Sequence, residues 1–362
     1  MQRVHLAKDV RRAIRASHPW VFRRALHLPR REPAAGALVV VEDRGEPLCV
    51  GYYDPESPIA VRVLSLDPAE RIDRAWVRRR VAAAAAARES IVDTDALRIV
   101  HGENDYLPGL VVDRYGDAGV VAFDGAGAAA LWSRFEDDIR AVARARRPEG
   151  DLVRVTEAGA AFEVDLVRGQ KTGLFLDQRD NRLRVRSLAA GRTVLNLFSY
   201  TGGFTVHAAL GGARRTTSVD SARPAMAALA RNLALNHLDP AAHEAVVADA
   251  FSFLEEAVRR GRRWELVVCD PPAFARSERA RPRALRAYRR LNRLAAAVVE
   301  PGGMLVTASC SSHVTDADLL AVVADCDRRV RVTHIGGAAA DHPVAPAFPE
   351  GRYLTCLFCA VE

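Results

Sequence analysis

The chain has 362 residues, 49% apolar and 27% charged, a composition that excludes disorder, collagen and coiled coil and leaves room for two or three globular domains. Of its 52 Lys plus Arg residues only Lys8 and Lys171 are lysine, and the net charge of +7 permits an anionic partner such as nucleic acid without establishing one. No apolar run approaches the roughly 20 residues of a membrane span, and charge begins at Arg3, so a cytoplasmic protein with its six cysteines reduced is expected.

In chain order, short β-rich runs at 37–41, 48–53 and 60–64, separated by turns at Pro33, Gly36, Gly45 and 55–58, predict a small β-barrel or sandwich over 1–67. One helix, 9–16, interrupts it. After Pro68 an Arg- and Ala-rich helix is expected to about 90, then strands at 97–100, 110–113 and 119–123 and a helix over 131–146, making a small α/β region of 68–160. From Phe162 onward the pattern becomes strand and helix in alternation, the mark of a doubly wound, mostly parallel sheet. Its strands are read at 194–198, 216–220, 244–248, 265–270, 304–309 and 353–361, with helices at 204–210, 223–236, 251–260, 283–299 and 316–327. The C-x-x-C of Cys356 and Cys359 lies in the last of these apolar runs and reads as strand packing.

In such a sheet ligands gather beyond the carboxyl ends of the central strands. The first strand ends in N-L-F-S-Y-T-G-G-F, contributing Asn196, Ser199, Tyr200, Thr201, Gly202 and Gly203; the G-x-G-x-x-G spacing of a pyrophosphate cradle is absent. Asp220, followed by Ser221, closes the second strand, where a carboxylate can accept both ribose hydroxyls. Asp249, followed by Ala250, closes the third. Each acid could equally be a helix cap, but in this order they describe a nucleoside site without a phosphate cradle, which is what S-adenosylmethionine needs. The fourth strand runs into D-P-P-x-F, with Asp270, Pro271, Pro272 and Phe274; the prolines fix φ and remove amide donors, holding one acid at the strand tip. The fifth brings Cys310 to the next strand end, either as a small buried hydrophobe or as a reactive thiol.

These residues resemble the ribosomal RNA large subunit methyltransferase I family, class I S-adenosylmethionine-dependent 23S rRNA (cytosine-C5)-methyltransferases with an N-terminal PUA domain. The resemblance runs from Leu6 almost to the C-terminus. It is carried by L-A-K at 6–8, H-P-W-V-F at 18–22, G-E-N-D-Y-L-P-G-L at 102–110, G-Q-K-T-G-L-F-L-D-Q-R-D-N-R at 169–182, the stretches at 196–204 and 270–274, S-C-S at 309–311, A-D-H-P at 340–343 and F-P-E-G at 348–351. The fourth of these is specific, whereas D-P-P-x-F recurs among many methyltransferases. Between Arg147 and Phe162 the chain is shorter than family members usually are. The resemblance implies a PUA β-barrel over 1–67, a middle α/β domain over 68–160 and a Rossmann-like methyltransferase domain over 161–362. It implies that Gln178, the turn at 199–203, Asp220 and Asp249 surround S-adenosylmethionine, with S-adenosylhomocysteine as product. Asp270, itself beside the cofactor, would hold the target base and Cys310 would be the nucleophile.

The chemistry accounts for that pair. C5 of cytosine is a poor nucleophile; a thiolate adding to C6 turns the ring into an enamine whose C5 can attack, and loss of the C5 proton then releases the thiol. The target cytidine must be unpaired or flipped from its stack. Lys171, Arg182, Pro271, Pro272, Phe274, Arg276 and Arg283 are expected on the RNA side, the arginines from a run at 276–293 that could equally be a solvated face. Lys171, one of two lysines in an Arg-rich chain, is expected to need a compact ammonium. No His, Cys and acid spacing predicts a metal. The competing readings are methylation of an exocyclic amine of guanine or adenine, which needs no cysteine, and a non-catalytic RNA-binding or ribosome assembly factor.

Overall fold

The computed structural model describes residues 1–169, 172–275 and 277–362, and the chain divides into two compact units, 1–153 with 340–351 and 154–339 with 352–362. The first unit holds a six-stranded sheet in the order Trp20–Phe22, Ile59–Ser65, Glu46–Tyr53, Leu38–Asp43, Gln2–Leu6, Leu26–His27. Alternation along the Leu38–Asp43 strand sends Val39 and Val41 inward against Val4, Cys49 and Val61. A second, antiparallel sheet of Ala96–His101, Leu110–Tyr115 and Ala118–Phe123 is covered by the helix Arg74–Ala86. Trp76, Val77 and Val81 of that helix share a core with Leu97 and Ile99, and also with Val50, Tyr52 and Leu64 of the first sheet. The expected region 1–67 therefore shares a core with residues 72–145 of the expected region 68–160, and the first stretch of the unit ends at Val153.

The helix expected over 131–146 is two helices, Ala126–Trp132 and Glu136–Ala143, joined by a short 3-10 turn. Trp132 donates its indole N–H to the Pro108 carbonyl at 3.0 Å, and Arg144 ends the second helix in a left-handed conformation. Residues 340–351 return to complete this unit. Asp341 is fully buried and accepts the Arg98 amide at 2.8 Å, while Asn104 accepts the Ala345 amide at 2.9 Å. His18, Trp20 and Phe348 form one aromatic cluster, with the Trp20 and Phe348 rings 4.7 Å apart.

The second unit begins at Arg154, within a pair of strands, Leu152–Glu157 and Ala160–Asp165, that the sequence pattern does not predict. Its seven-stranded sheet comprises β1 (Thr193–Leu197), β2 (Arg215–Asp220), β3 (His243–Val247), β4 (Trp264–Cys269), β5 (Val299–Ser309), β6 (Val330–Gly336) and β7 (Thr355–Val361). Their order is β3-β2-β1-β4-β5-β7-β6, with only β7 antiparallel to its neighbours. The helices are α1 (Arg179–Leu188), α2 (Gly203–Leu210), α3 (Arg223–Leu235), α4 (Ala250–Arg259), α5 (Arg281–Ala297) and α6 (Asp316–Ala324). Burial on both faces explains the near-continuous apolar runs in β1, β4 and β5. Cys359 packs with Leu195, Val267 and Leu305, and Cys356 with Val194, Leu266 and Val306, so the two cysteines face opposite sides of the sheet. The chain reverses direction of sheet growth between β1 and β4, which places the crevice for a ligand at their carboxyl ends.

Candidate active site

The turn after β1 is bent by three residues in the left-handed region, Phe198, Tyr200 and Gly202. Gly202 has φ +87° and a Cβ there would stand 2.1 Å from Leu229 Cδ1, so glycine is required both for conformation and for the approach of α3. The turn is anchored to β2: the Ser199 amide donates to the Val219 carbonyl at 3.0 Å and the Tyr200 amide to Asp220 Oδ2 at 2.9 Å. Asp220 Oδ1 accepts the Ala222 amide at 2.9 Å, which leaves the half-buried carboxylate fixed at the mouth of the turn. The Thr201 carbonyl accepts Asn232 Nδ2 at 2.9 Å, and Ser199 Oγ is 3.5 Å from Met226 Sδ. Asn196 lies behind the turn, where its amide donates to Thr205 Oγ1 at 2.9 Å and braces α2 against β1. Asp249 does cap α4, accepting the Ser252 amide at 2.9 Å, yet stays exposed at the end of β3, next to Ala250. Ser221 is exposed beyond β2.

Asp270 and Cys310 leave adjacent strands, β4 and β5. Gln178 Nε2 donates to Asp270 Oδ1 at 3.0 Å; Gln178 Oε1 accepts Asn181 Nδ2 at 2.7 Å, and the same Asn181 nitrogen reaches the Gly337 carbonyl at 3.0 Å. This chain of amides orients one face of the Asp270 carboxylate. Cys310 is half-buried, its Sγ 3.9 Å from the Pro271 carbonyl oxygen. Two further contacts tie the loops together: Ser311 Oγ donates to the Ala275 carbonyl at 2.8 Å, and Ser309 Oγ to Tyr288 Oη at 3.0 Å. The Phe274 ring packs 4.8 Å from that of Tyr288. Burial pushes the Tyr288 phenol well up, and the nearby Cys310 and Asp270 add to the shift, so it remains protonated beside them. Pro271 is buried and Pro272 exposed. Burial likewise drives the Cys269 thiol far above its usual range, leaving Cys310 as the strand-end cysteine open to solvent.

One expectation is corrected. Arg182 does not face RNA: it is 2% exposed, with Nε 2.7 Å and Nη2 2.5 Å from the two oxygens of Glu157 and Nη1 2.7 Å from the Phe175 carbonyl. The arginine run of α5 is also partly consumed. Arg281 pairs with Asp318, Arg289 with Asp325, Arg290 with Glu255, and Arg293 donates to the Asp325 carbonyl. Arg279, Arg283 and Arg286 remain exposed without an acidic partner among the described residues. Lys171 and Arg276 lie outside the described residues. Asn181 and the serines flanking Cys310 fell within motifs of the resemblance but were given no role, and Tyr288 lay outside every motif; only the i, i+4 spacing of Ala284, Tyr288 and Asn292 marks Tyr288 as inward-facing.

Residues 131–347 match the model of S-adenosylmethionine-dependent methyltransferases and residues 4–66 that of a PUA-like domain. A Deinococcus radiodurans ribosomal RNA large subunit methyltransferase is 37% identical over 99% of this chain and 97% of its own length. The ribosomal RNA large subunit methyltransferase I of Klebsiella pneumoniae is 36% identical over 99% and 98%. The chain belongs to the ribosomal RNA large subunit methyltransferase I family. Two solved structures share its fold over 100% of both chains: a provisionally assigned methyltransferase complexed with SAH, at 23% identity and TM-score 0.87, and a provisionally assigned SAM-dependent methyltransferase from Streptococcus mutans, at 22% and 0.86. Family membership and fold make the cofactor S-adenosylmethionine, as the order of strand-end acids predicts. The site fits it: the turn presents left-handed backbone and a fixed Asp220 for a nucleoside, with no pyrophosphate cradle.

Proposed function

We propose that this protein methylates C5 of a cytidine in large-subunit ribosomal RNA through a transient covalent bond between Cys310 and C6 of the base. The observation that carries this reading is the meeting of two loops: Cys310 Sγ lies 3.9 Å from the carbonyl of Pro271, the residue next to Asp270. A nucleophile and an acid are thereby held at neighbouring strand ends, beyond the turn that fits the cofactor. The RNA substrate is supported by the names of the relatives and by the PUA-like match.

Asp220 and the turn at 199–203 would hold the nucleoside end of the cofactor, with Asp249 at the next strand end. S-adenosylmethionine, when bound, supplies an electrophilic methyl group. Cys310, deprotonated, adds to C6 of the flipped cytosine, and the C5–C6 π electrons move to C5. Asp270, oriented by Gln178, accepts from the N4 amine and shares a proton with N3, so that the negative charge driven onto that edge by thiolate addition is neutralised as the ring becomes an enamine. After methyl transfer a base removes the C5 proton, the electrons re-form the C5–C6 double bond, and the C6–S bond breaks to regenerate the thiolate. Pro271 and Phe274 fix the loop so that neither acid nor thiol must be reorganised.

The test is nucleoside mass spectrometry on large-subunit rRNA incubated with the full-length enzyme and S-adenosylmethionine. Wild type is expected to yield C5-methylcytidine, and Cys310→Ala to fall to background while still binding the cofactor. Full transfer by Cys310→Ala, or a methyl found on an exocyclic amine, would overturn the cysteine mechanism.

A further inference from the structure

The G-E-N-D-Y-L-P-G-L stretch at 102–110 lies in the first unit and takes no part in the methyl-transfer site. Its polar groups are almost all committed internally. Glu103 accepts both Trp20 Nε1 and Arg62 at 2.9 Å; Asp105 holds Arg88 at 2.7 and 2.8 Å; the Pro108 carbonyl receives the Tyr52 hydroxyl and the Trp132 indole, each at 3.0 Å. Asn104 holds the Ala345 amide. Tyr106 is the exception. It is 45% exposed and sits at φ +58°, a left-handed conformation that is costly for a bulky side chain and that the surrounding contacts impose. Its ring borders a cavity of about 300 Å³ walled by Pro19, Val63 and Leu64. Arg80 also lines it, its guanidinium carbon 5.3 Å from the Trp76 ring centroid, with no acidic partner among the described residues.

We propose that this cavity receives an unstacked base of a single-stranded RNA segment, with Tyr106 on the face of the base and Arg80 meeting the adjoining phosphate. An aromatic ring, apolar walls and a guanidinium without a counter-ion are what a splayed nucleotide needs. Asp67 in the lining disfavours a phosphate inside the cavity and can accept from an exocyclic amine, which fixes the base inside and the phosphate outside. The inference rests on RNA being the substrate and adds a second contact, apart from the methyl-transfer site, that selects where a strand docks.

The experiment uses the full-length protein with a short single-stranded RNA bearing 5-iodocytidine, photocrosslinked and mapped by mass spectrometry, together with fluorescence anisotropy. Crosslinking to Tyr106 is expected. Tyr106→Gly, which relieves the left-handed strain, is expected to melt no lower than wild type yet bind RNA about tenfold more weakly. Tyr106→Phe keeps the ring and should bind as wild type, while Arg80→Ala should lower both the affinity and its salt dependence. Wild-type affinity in Tyr106→Gly, or crosslinks confined to the 270–274 loop, would overturn the proposal alone. A wild-type protein with no RNA affinity would overturn it together with the RNA reading of the active site.

Discussion

Glu157 is fully enclosed, and its carboxylate serves two basic side chains at once: the Arg182 guanidinium bidentately, and His207 Nε2 at 3.0 Å. Burial alone would raise its pKa, but the Arg182 charge and the hydrogen bonds from His207 and Arg182 more than reverse that, holding it down at about 2 against an ordinary 4.5. Because the folded pKa lies below the unfolded one, the associated stability is present above about pH 4.5 and is lost as pH falls toward 2. The gap corresponds to about 3 kcal/mol. Burial lowers the His207 pKa despite Glu157, so the unfolded chain takes up that proton first and stability begins to fall as pH drops through about 6.5. Glu157→Gln should therefore lose about 3 kcal/mol at pH 7, because a buried guanidinium is left without its counter-charge, and its acid melting curve should flatten below pH 4.5. Chemical denaturation from pH 3 to 8 reads both; an unchanged pH profile would count against the pairing. The case also marks a limit on reading residues from sequence. Asp270 and Cys310 were legible because an acid or thiol at the tip of an apolar strand is placed by the strand itself. Arg182 was not, since its partner is 25 residues away on a hairpin whose formation leaves no trace in the local pattern around Arg182.

At the scale of elements, the strand-turn-helix formed by β1, 198–202 and α2 concentrates the most demanding backbone in the second unit. Gly202→Ala would put a methyl against the buried Leu229 in a conformation that L residues avoid. A loss of at least about 2 kcal/mol is expected, together with weaker S-adenosylmethionine binding by calorimetry, because the Tyr200 amide would shift off Asp220. Intact cofactor affinity in this variant would separate the turn from the cofactor. The central strands and the helices between them were legible because they are long and apolar, with a change of period from 2 to 3.6. The helix α1 was missed since Arg179, Asn181 and Arg182 are buried in it, so its inward stripe is polar. The edge strand β6 was missed for a different reason: all seven of its positions are exposed or half-exposed, so it has no buried face to mark it. The core that 1–67 shares with 72–145 was invisible too, since a boundary drawn from composition says nothing about which apolar faces meet.

For the molecule as a whole, the first unit is assembled from two stretches separated by the entire central part of the second. Asp341→Ala is expected to cost about 2 kcal/mol by removing the fully buried carboxylate that accepts the part-buried Arg98 amide, and hydrogen exchange should show the loss in strands 96–101 and 110–115 rather than in the sheet whose sequence surrounds position 341. Exchange confined to β6 and β7 would contradict that assignment. The interruption also has a temporal side. On the ribosome the 186 residues from Arg154 to Ala339 must be synthesised before the segment that closes the first unit emerges, an interval of roughly 10 to 40 s at ordinary elongation rates. During that interval Asn104, Arg88 and Arg98 lack their partners from 341–345, so the nascent first unit stays open until its closing strap arrives.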